Sequence, residues 1–158
     1  MIHAFLLNLF LAVVYVMLTV EGGVVDFFVG FAAGYVVLSV SSLATGTRNY
    51  GHKVIKLFRF GLYFMYILTK ANLEIAWEII TPGMHQTPRI LRYNVEHLND
   101  VELTTLANCI TLTPGTLVVD VSEDAKWLYI HCMYAKEPNK AIAGLKELDE
   151  RLQREVFS

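Results

Sequence analysis

Residues 4–20, AFLLNLFLAVVYVMLTV, carry only Asn8 and Thr19 as polar side chains. Wound as an α-helix at 1.5 Å per residue they reach about 25 Å, just enough to cross the hydrocarbon core of a bilayer. A secretory signal peptide is the rival reading. It is disfavoured because no Lys or Arg precedes the apolar run, no small-x-small cleavage site follows it, and a second apolar stretch begins almost at once. That second stretch, residues 24–43, has Asp26 at its start and contains Gly30 and Gly34, a small-xxx-small pair that lets another helix approach the backbone closely. The spacing predicts a helix contact there, with a partner the sequence does not name.

Charge follows the same division. Of 13 Lys and Arg and 15 Asp and Glu, only Glu21 and Asp26 precede Thr45, and mean hydropathy over the 158 residues is +0.44. The connection Glu21-Gly22-Gly23 is short and acidic, whereas Arg48, Lys53, Lys56 and Arg59 follow the second apolar stretch. The positive-inside rule then places the basic segment and the N-terminus in the cytoplasm, and two crossings return the chain to its starting side.

Residues 53–81, KVIKLFRFGLYFMYILTKANLEIAWEIIT, read differently. Their longest uncharged run, Phe60 to Thr69, is too short to span. At 100° per residue Lys53, Lys56, Arg59, Lys70, Glu74 and Glu78 share about a third of the circumference, with Phe58, Leu68, Ile75 and Ile79 away from them. This pattern predicts a helix along the membrane surface, with every charge at water or headgroups. A third spanning helix, with Lys70 near mid-membrane paired with Glu74 in a proton relay and Glu78 a further intramembrane charge, is the alternative.

Pro82-Gly83 stops the long helix and Pro88 closes a short linker. Beyond it residues 89–96 (RILRYNVE) predict a strand. Residues 100–112 predict a helix started by Asn99-Asp100, with Val101, Leu103, Leu106 and Ile110 apolar. In Thr113-Pro114-Gly115-Thr116, Pro presets φ at the second turn position and Gly accepts positive φ at the third. Two strands, 116–121 and 126–133, joined by Ser122-Glu123-Asp124-Ala125, make a hairpin. A last helix over about 139–156 carries Ile142, Leu145, Leu148, Leu152 and Val156 on one stripe, with Glu147/Arg151 and Glu150/Arg154 spaced for ion pairs. The expected fold is a membrane protein with two N-terminal transmembrane helices (1–45), a long amphipathic interfacial helix (46–83) and a small cytoplasmic C-terminal α+β domain (84–158) of order β-α-β-β-α.

Several functions are disfavoured. A net charge of −2 supplies no basic field for nucleic acid. Cys109 and Cys132 have no metal or redox spacing and read as buried thiols, so no metal or cofactor is expected. His131 and Cys132 are adjacent on a strand and point to opposite faces, away from any shared ion. Asp120, Ser122 and His131 lack the geometry of a nucleophile with its base, so no catalytic residues are assigned and the chain is not expected to be an enzyme.

The run Asn108-Cys109-Ile110-Thr111-Leu112-Thr113-Pro114-Gly115-Thr116-Leu117, then Asp120-Val121-Ser122-Glu123-Asp124 and Leu128-Tyr129-Ile130-His131, resembles the E-type subunits of the multisubunit Mrp-type (Mnh, Pha) monovalent cation/proton antiporters. Leu7-Asn8, Lys70-Ala71-Asn72 and Pro82 agree in order along nearly the whole chain. Tyr15 stands where the family often has Trp, and Cys109 where an aliphatic residue or Ser is more usual; neither touches the identifying motif. The resemblance implies a bacterial inner-membrane complex that exchanges sodium or potassium for protons, with the other subunits and the lipid bilayer as partners and this chain as one accessory, structural part. The two spans offer essentially no ionisable group at depth, so the chain is not expected to conduct ions alone. Asn108, Thr111, Thr113, Pro114, Gly115 and Thr116 are assigned a structural or interface role, Asn108 satisfying free backbone groups near the helix end. The alternative is a cytoplasmic sensor or regulatory module tethered to a transporter.

Overall fold

A computed structural model describes residues 2–19, 22–44, 50–82 and 86–158. Glu21, Arg48 and Gly83, on which parts of the topology and one helix stop rest, lie outside the described residues. The chain divides into two compact units, Met1–Leu57 and Phe58–Ser158.

In the first unit α1 (Ile2–Leu18) and α2 (Val24–Ala44) pack on each other. Val24–Ser42 is long and apolar enough to cross a membrane; His3–Leu18 is apolar and shorter. The packing partner of Gly30 and Gly34 is α1. A Cβ on Gly30 would lie 2.7 Å from the Tyr15 Cβ, and one on Gly34 would overlap the Asn8 amide oxygen. Phe5 meets Phe31 edge to face, with centroids 6.3 Å apart. The first turn of α3 (Tyr50–Ile80) is fastened to α2, since the Tyr35 hydroxyl donates to the Gly51 carbonyl at 3.1 Å and Gly51 sits against Ser39.

The second unit holds the rest of α3 with β1 (Arg89–Asn94), α4 (Asp100–Leu112), β2 (Thr116–Val121), β3 (Trp127–Cys132) and α5 (Pro138–Leu152), in the expected order β-α-β-β-α. The three strands form one antiparallel sheet of order β1-β3-β2, with Leu91 opposite Ile130 and Val118 opposite Ile130 on its other side. A bulge between Val118 and Asp120 shifts the register of β2. Alternation of side chains turns Leu91, Tyr93, Leu128, Ile130 and Cys132 to the core. There they meet Leu106, Cys109 and Ile110 of α4 and Leu145, Leu148 and Leu152 of α5. Each fully buried leucine contributes about 1.5–3 kcal/mol.

Helix α4 begins with a capping box. Asn99 Oδ1 accepts from the Val101 and Glu102 N–H groups, both at 3.0 Å, and Glu102 Oε2 accepts from the Asn99 N–H at 2.9 Å. Such a cap is worth about 1 kcal/mol. At its C-terminal end, α5 departs from the expected single helix. It is α-helical only to Leu152 and widens into a π-turn over Gln153–Phe157. The expected ion pairs are half realised. Arg151 meets Glu147 at 3.2 Å, but Glu150 pairs with Lys146 at 3.7 Å and Arg154 with its neighbour Glu155 at 3.4 Å. The π-turn changes the residue spacing that a uniform helix would have given Arg154.

Candidate functional site

The turn after α4 is built from side chains that the sequence places within four residues. Pro114 fixes φ and Gly115 takes φ +88°, the left-handed value required of the third residue of a type II turn. The Thr116 N–H donates to the Thr113 carbonyl at 3.1 Å, closing the turn, and the Gly115 carbonyl accepts from the Met133 N–H at 2.8 Å. The last carbonyls of α4 are satisfied by threonines: Thr113 Oγ1 donates to Cys109 O at 2.9 Å, and Thr116 Oγ1 lies 2.6 Å from Ile110 O and 3.0 Å from Thr113 O. Thr111 Oγ1 accepts from the Val118 N–H at 3.3 Å, tying the last turn of α4 to β2. Asn108 is exposed on α4.

Helix α3 runs alongside this turn. Phe60 is buried in the domain core, with Tyr63, Phe64 and Ile67 packed against it. Further along, Lys70 and Glu74 line a groove of about 510 Å³ together with Thr113, Pro114, Gly115, Thr116, Tyr134 and Glu147. Two features singled out separately in the sequence, the charged stripe of the long helix and the TPGT turn, therefore share one site. Lys70 and Glu74 form an exposed i,i+4 pair at 3.8 Å, which contributes a few tenths of a kcal/mol at most. Glu78 faces Tyr134: hydrogen bonding to Glu78 pushes the Tyr134 hydroxyl up to about 12, with burial and the negative charges of Glu78 and Glu74 adding to it. Of the charged stripe, Arg59 reaches Glu155 of the folded domain, and Lys70 and Glu74 border the groove while keeping most of their side chains exposed.

Other constellations had no signal in the sequence. Asp149 is 2% exposed, and its Oδ2 accepts from the Tyr93 hydroxyl at 2.7 Å and lies 2.9 Å from His97 Nε2. Burial and then the bond to Asp149 raise the Tyr93 hydroxyl well above the usual tyrosine range. These residues are 56 and 52 positions from Asp149, beyond any local pattern. Glu155, nearly buried, lies 3.5 Å from Arg59 of α3, and Arg151 covers the Tyr63 ring at 3.9 Å. Asn8 is fully buried against Gly34, with neither amide atom hydrogen-bonded. The Gly30/Gly34 spacing was the legible hint of this packing, and it did not name Asn8 as the side chain approached. Cys109 and Cys132 are buried free thiols, pushed up by burial. His131 lies half-buried on β3 between Ile90 and Leu117. Among the described residues no group of three or more His, Cys, Asp or Glu is placed to hold a metal ion.

Comparison with known proteins adds a family. The model of the family described as Na+/H+ ion antiporter subunit (MNHE) matches residues 8–156. The E-type Na(+)/H(+) antiporter subunit of Bacillus subtilis (strain 168) is 33% identical over 151 residues, covering 96% of this chain and 96% of that protein. Its counterpart in Alkalihalophilus pseudofirmus is 32% identical, again with 96% of each chain covered. A chain in the structure of the Mrp complex from Dietzia sp. DQ12-45-1b is 28% identical, with 62% of this chain and 93% of that one covered and a TM-score of 0.49.

Proposed function

Because this chain belongs to the MNHE family of Na+/H+ ion antiporter subunits, we propose that it is an accessory, structural subunit of a multisubunit sodium (or potassium)/proton antiporter complex in the bacterial cell membrane. In this reading α1 and α2 cross the bilayer as a hairpin, and the C-terminal domain stays in the cytoplasm, on the side of the basic segment around Lys53, Lys56 and Arg59. The other subunits of the complex carry the ion path; this chain supports their assembly.

The observation that carries the division of labour is the chemistry of the hairpin. A proton or ion path needs ionisable groups at membrane depth. Within α1 and α2, His3 is at the start of the first helix, and Asp26, in the first turn of the second, accepts from the Gly23 N–H at 2.9 Å. Both stand at helix ends, and the interior of the hairpin holds Asn8, Tyr15 and Tyr35 among apolar side chains.

Deletion of the chain from cells tests the proposal. Loss of complex assembly and of sodium resistance is expected, measured by copurification of the remaining subunits from mildly solubilised membranes and by cation/proton exchange in everted vesicles. Normal assembly together with normal exchange in its absence would overturn the accessory role. A Gly115→Val chain that copurifies normally but alters the regulation of exchange would favour a sensor module instead.

A further inference from the structure

The geometry points to α3 as a helix lying in the surface of the bilayer, with its outer face in contact with lipid and its inner face under the folded domain; this rests on the hairpin of the proposed function being membrane-embedded. The inner face is occupied along most of its length. Arg59 reaches Glu155, Phe60 is buried in the core, Tyr63 lies beneath Arg151, Lys70 and Glu74 line the groove beside the TPGT turn, and Glu78 faces Tyr134. From Arg59 to Glu78 is about 28 Å of helix, close to the whole thickness of the hydrocarbon core. If α3 crossed the membrane, the domain packed lengthwise against it would be carried into hydrocarbon as well. That would immerse Lys146, Glu147 and Glu150, at several kcal/mol for each charge, and the open backbone edges of β1 and β2, which lipid cannot satisfy.

The opposite face is apolar and uncovered. At 100° per residue Phe58, Leu62, Met65, Leu73 and Ile80 fall within an arc of about 80°, and all are exposed. Lipid is the occupant for three reasons. The first turn of α3 is fastened to α2, where Gly51 sits against Ser39, five residues or about 8 Å of helix from the end of α2 at Ala44; this sets the start of α3 at the membrane boundary. Tyr66 and Trp77 border the apolar arc along one side, as aromatic side chains do at a membrane–water interface. Lys53, in the first turn of α3 and ahead of the residues the domain covers, suits anionic headgroups.

Spin labels on the full chain in phospholipid nanodiscs containing anionic lipid test this, through collision rates with oxygen and with a water-soluble nickel chelate. Labels are introduced singly by Phe58→Cys, Leu62→Cys, Met65→Cys, Leu73→Cys and Ile80→Cys, with Val36→Cys and Val40→Cys on exposed positions of α2 as controls. The native thiols are buried and held protonated, which keeps them out of the labelling reaction. The expected result is a common depth of about 5–10 Å for all five α3 labels. A depth that advances by about 1.5 Å per residue, spreading the labels over about 33 Å, would overturn the inference in favour of a crossing. Low rates for both colliders would overturn it in favour of a covering protein, and high nickel with low oxygen collision in favour of plain exposure to water. If the α2 controls also report water, the hairpin reading fails together with this one; controls in lipid with α3 labels outside it sink the inference alone.

Discussion

Replacing Gly115 should destabilise the C-terminal unit in a graded order set by backbone conformation. The residue holds φ +88°, and its carbonyl accepts from the Met133 N–H at 2.8 Å, so the turn cannot relax without losing its link to the chain just after β3. An alanine in a left-handed conformation costs about 1–2 kcal/mol. Its Cβ would lie 3.4 Å from the Tyr134 ring, a tolerable contact, so Gly115→Ala should cost little beyond that backbone penalty. For a unit of this size the loss corresponds to a fall in Tm of roughly 5–15 °C. Gly115→Val should cost more, because a branched side chain both resists this φ and crowds Tyr134. Gly115→Asn should cost less than alanine, since asparagine visits left-handed conformations most readily of the non-glycine residues. Thermal unfolding of the full chain in mild detergent, followed by Trp127 fluorescence in a Trp77→Phe background, gives the order directly. Equal melting of the Gly and Ala chains, or an asparagine as damaging as valine, would refute the reasoning.

Three further outcomes follow from other contacts. Gly34→Leu should lower the fraction of hairpin-folded chain by about 1–3 kcal/mol, because the new side chain overlaps Asn8, and a Gly34→Ala/Asn8→Ala chain should recover most of the loss; recovery is read by resistance to detergent unfolding, and an equally damaged double variant would argue against this contact. Tyr93→Phe removes a donor from the buried Asp149 carboxylate and should cost about 1–3 kcal/mol in denaturant unfolding, whereas a change under about 0.5 kcal/mol would mean that water replaces the hydroxyl freely. Tyr134 should be among the last tyrosines to ionise in a phenolate absorbance titration, near 12, and Glu78→Gln should move it back toward the ordinary value of about 10. Its proton is held more tightly in the folded chain, so the stabilisation is fully present below pH 10 and lost as pH rises through 12; an unmoved titration in the Gln chain would remove Glu78 as the cause.

The sequence by itself determined every element whose cause is local. The apolar run of α2, the Asn99 start of α4, the Pro114-Gly115 stop and the alternation of β3 each depend on residues a few positions apart, and each appears where the residue pattern put it. Composition and the ITLTPGT run likewise carried the family. What only the tertiary structure decided is what covers each face. The helical period showed that α3 has one charged and one apolar side, but a period cannot say whether water or the chain's own domain receives the charges. Packing of Phe60, Tyr63 and Ile67 into the core turned Lys70 and Glu74 toward the TPGT turn. The same holds for Gly34, whose spacing announced a close approach, while Asn8 of α1 supplied the surface approached. Asp149 gained Tyr93 and His97 from more than fifty residues away, through sheet and helix packing that no short-range pattern encodes.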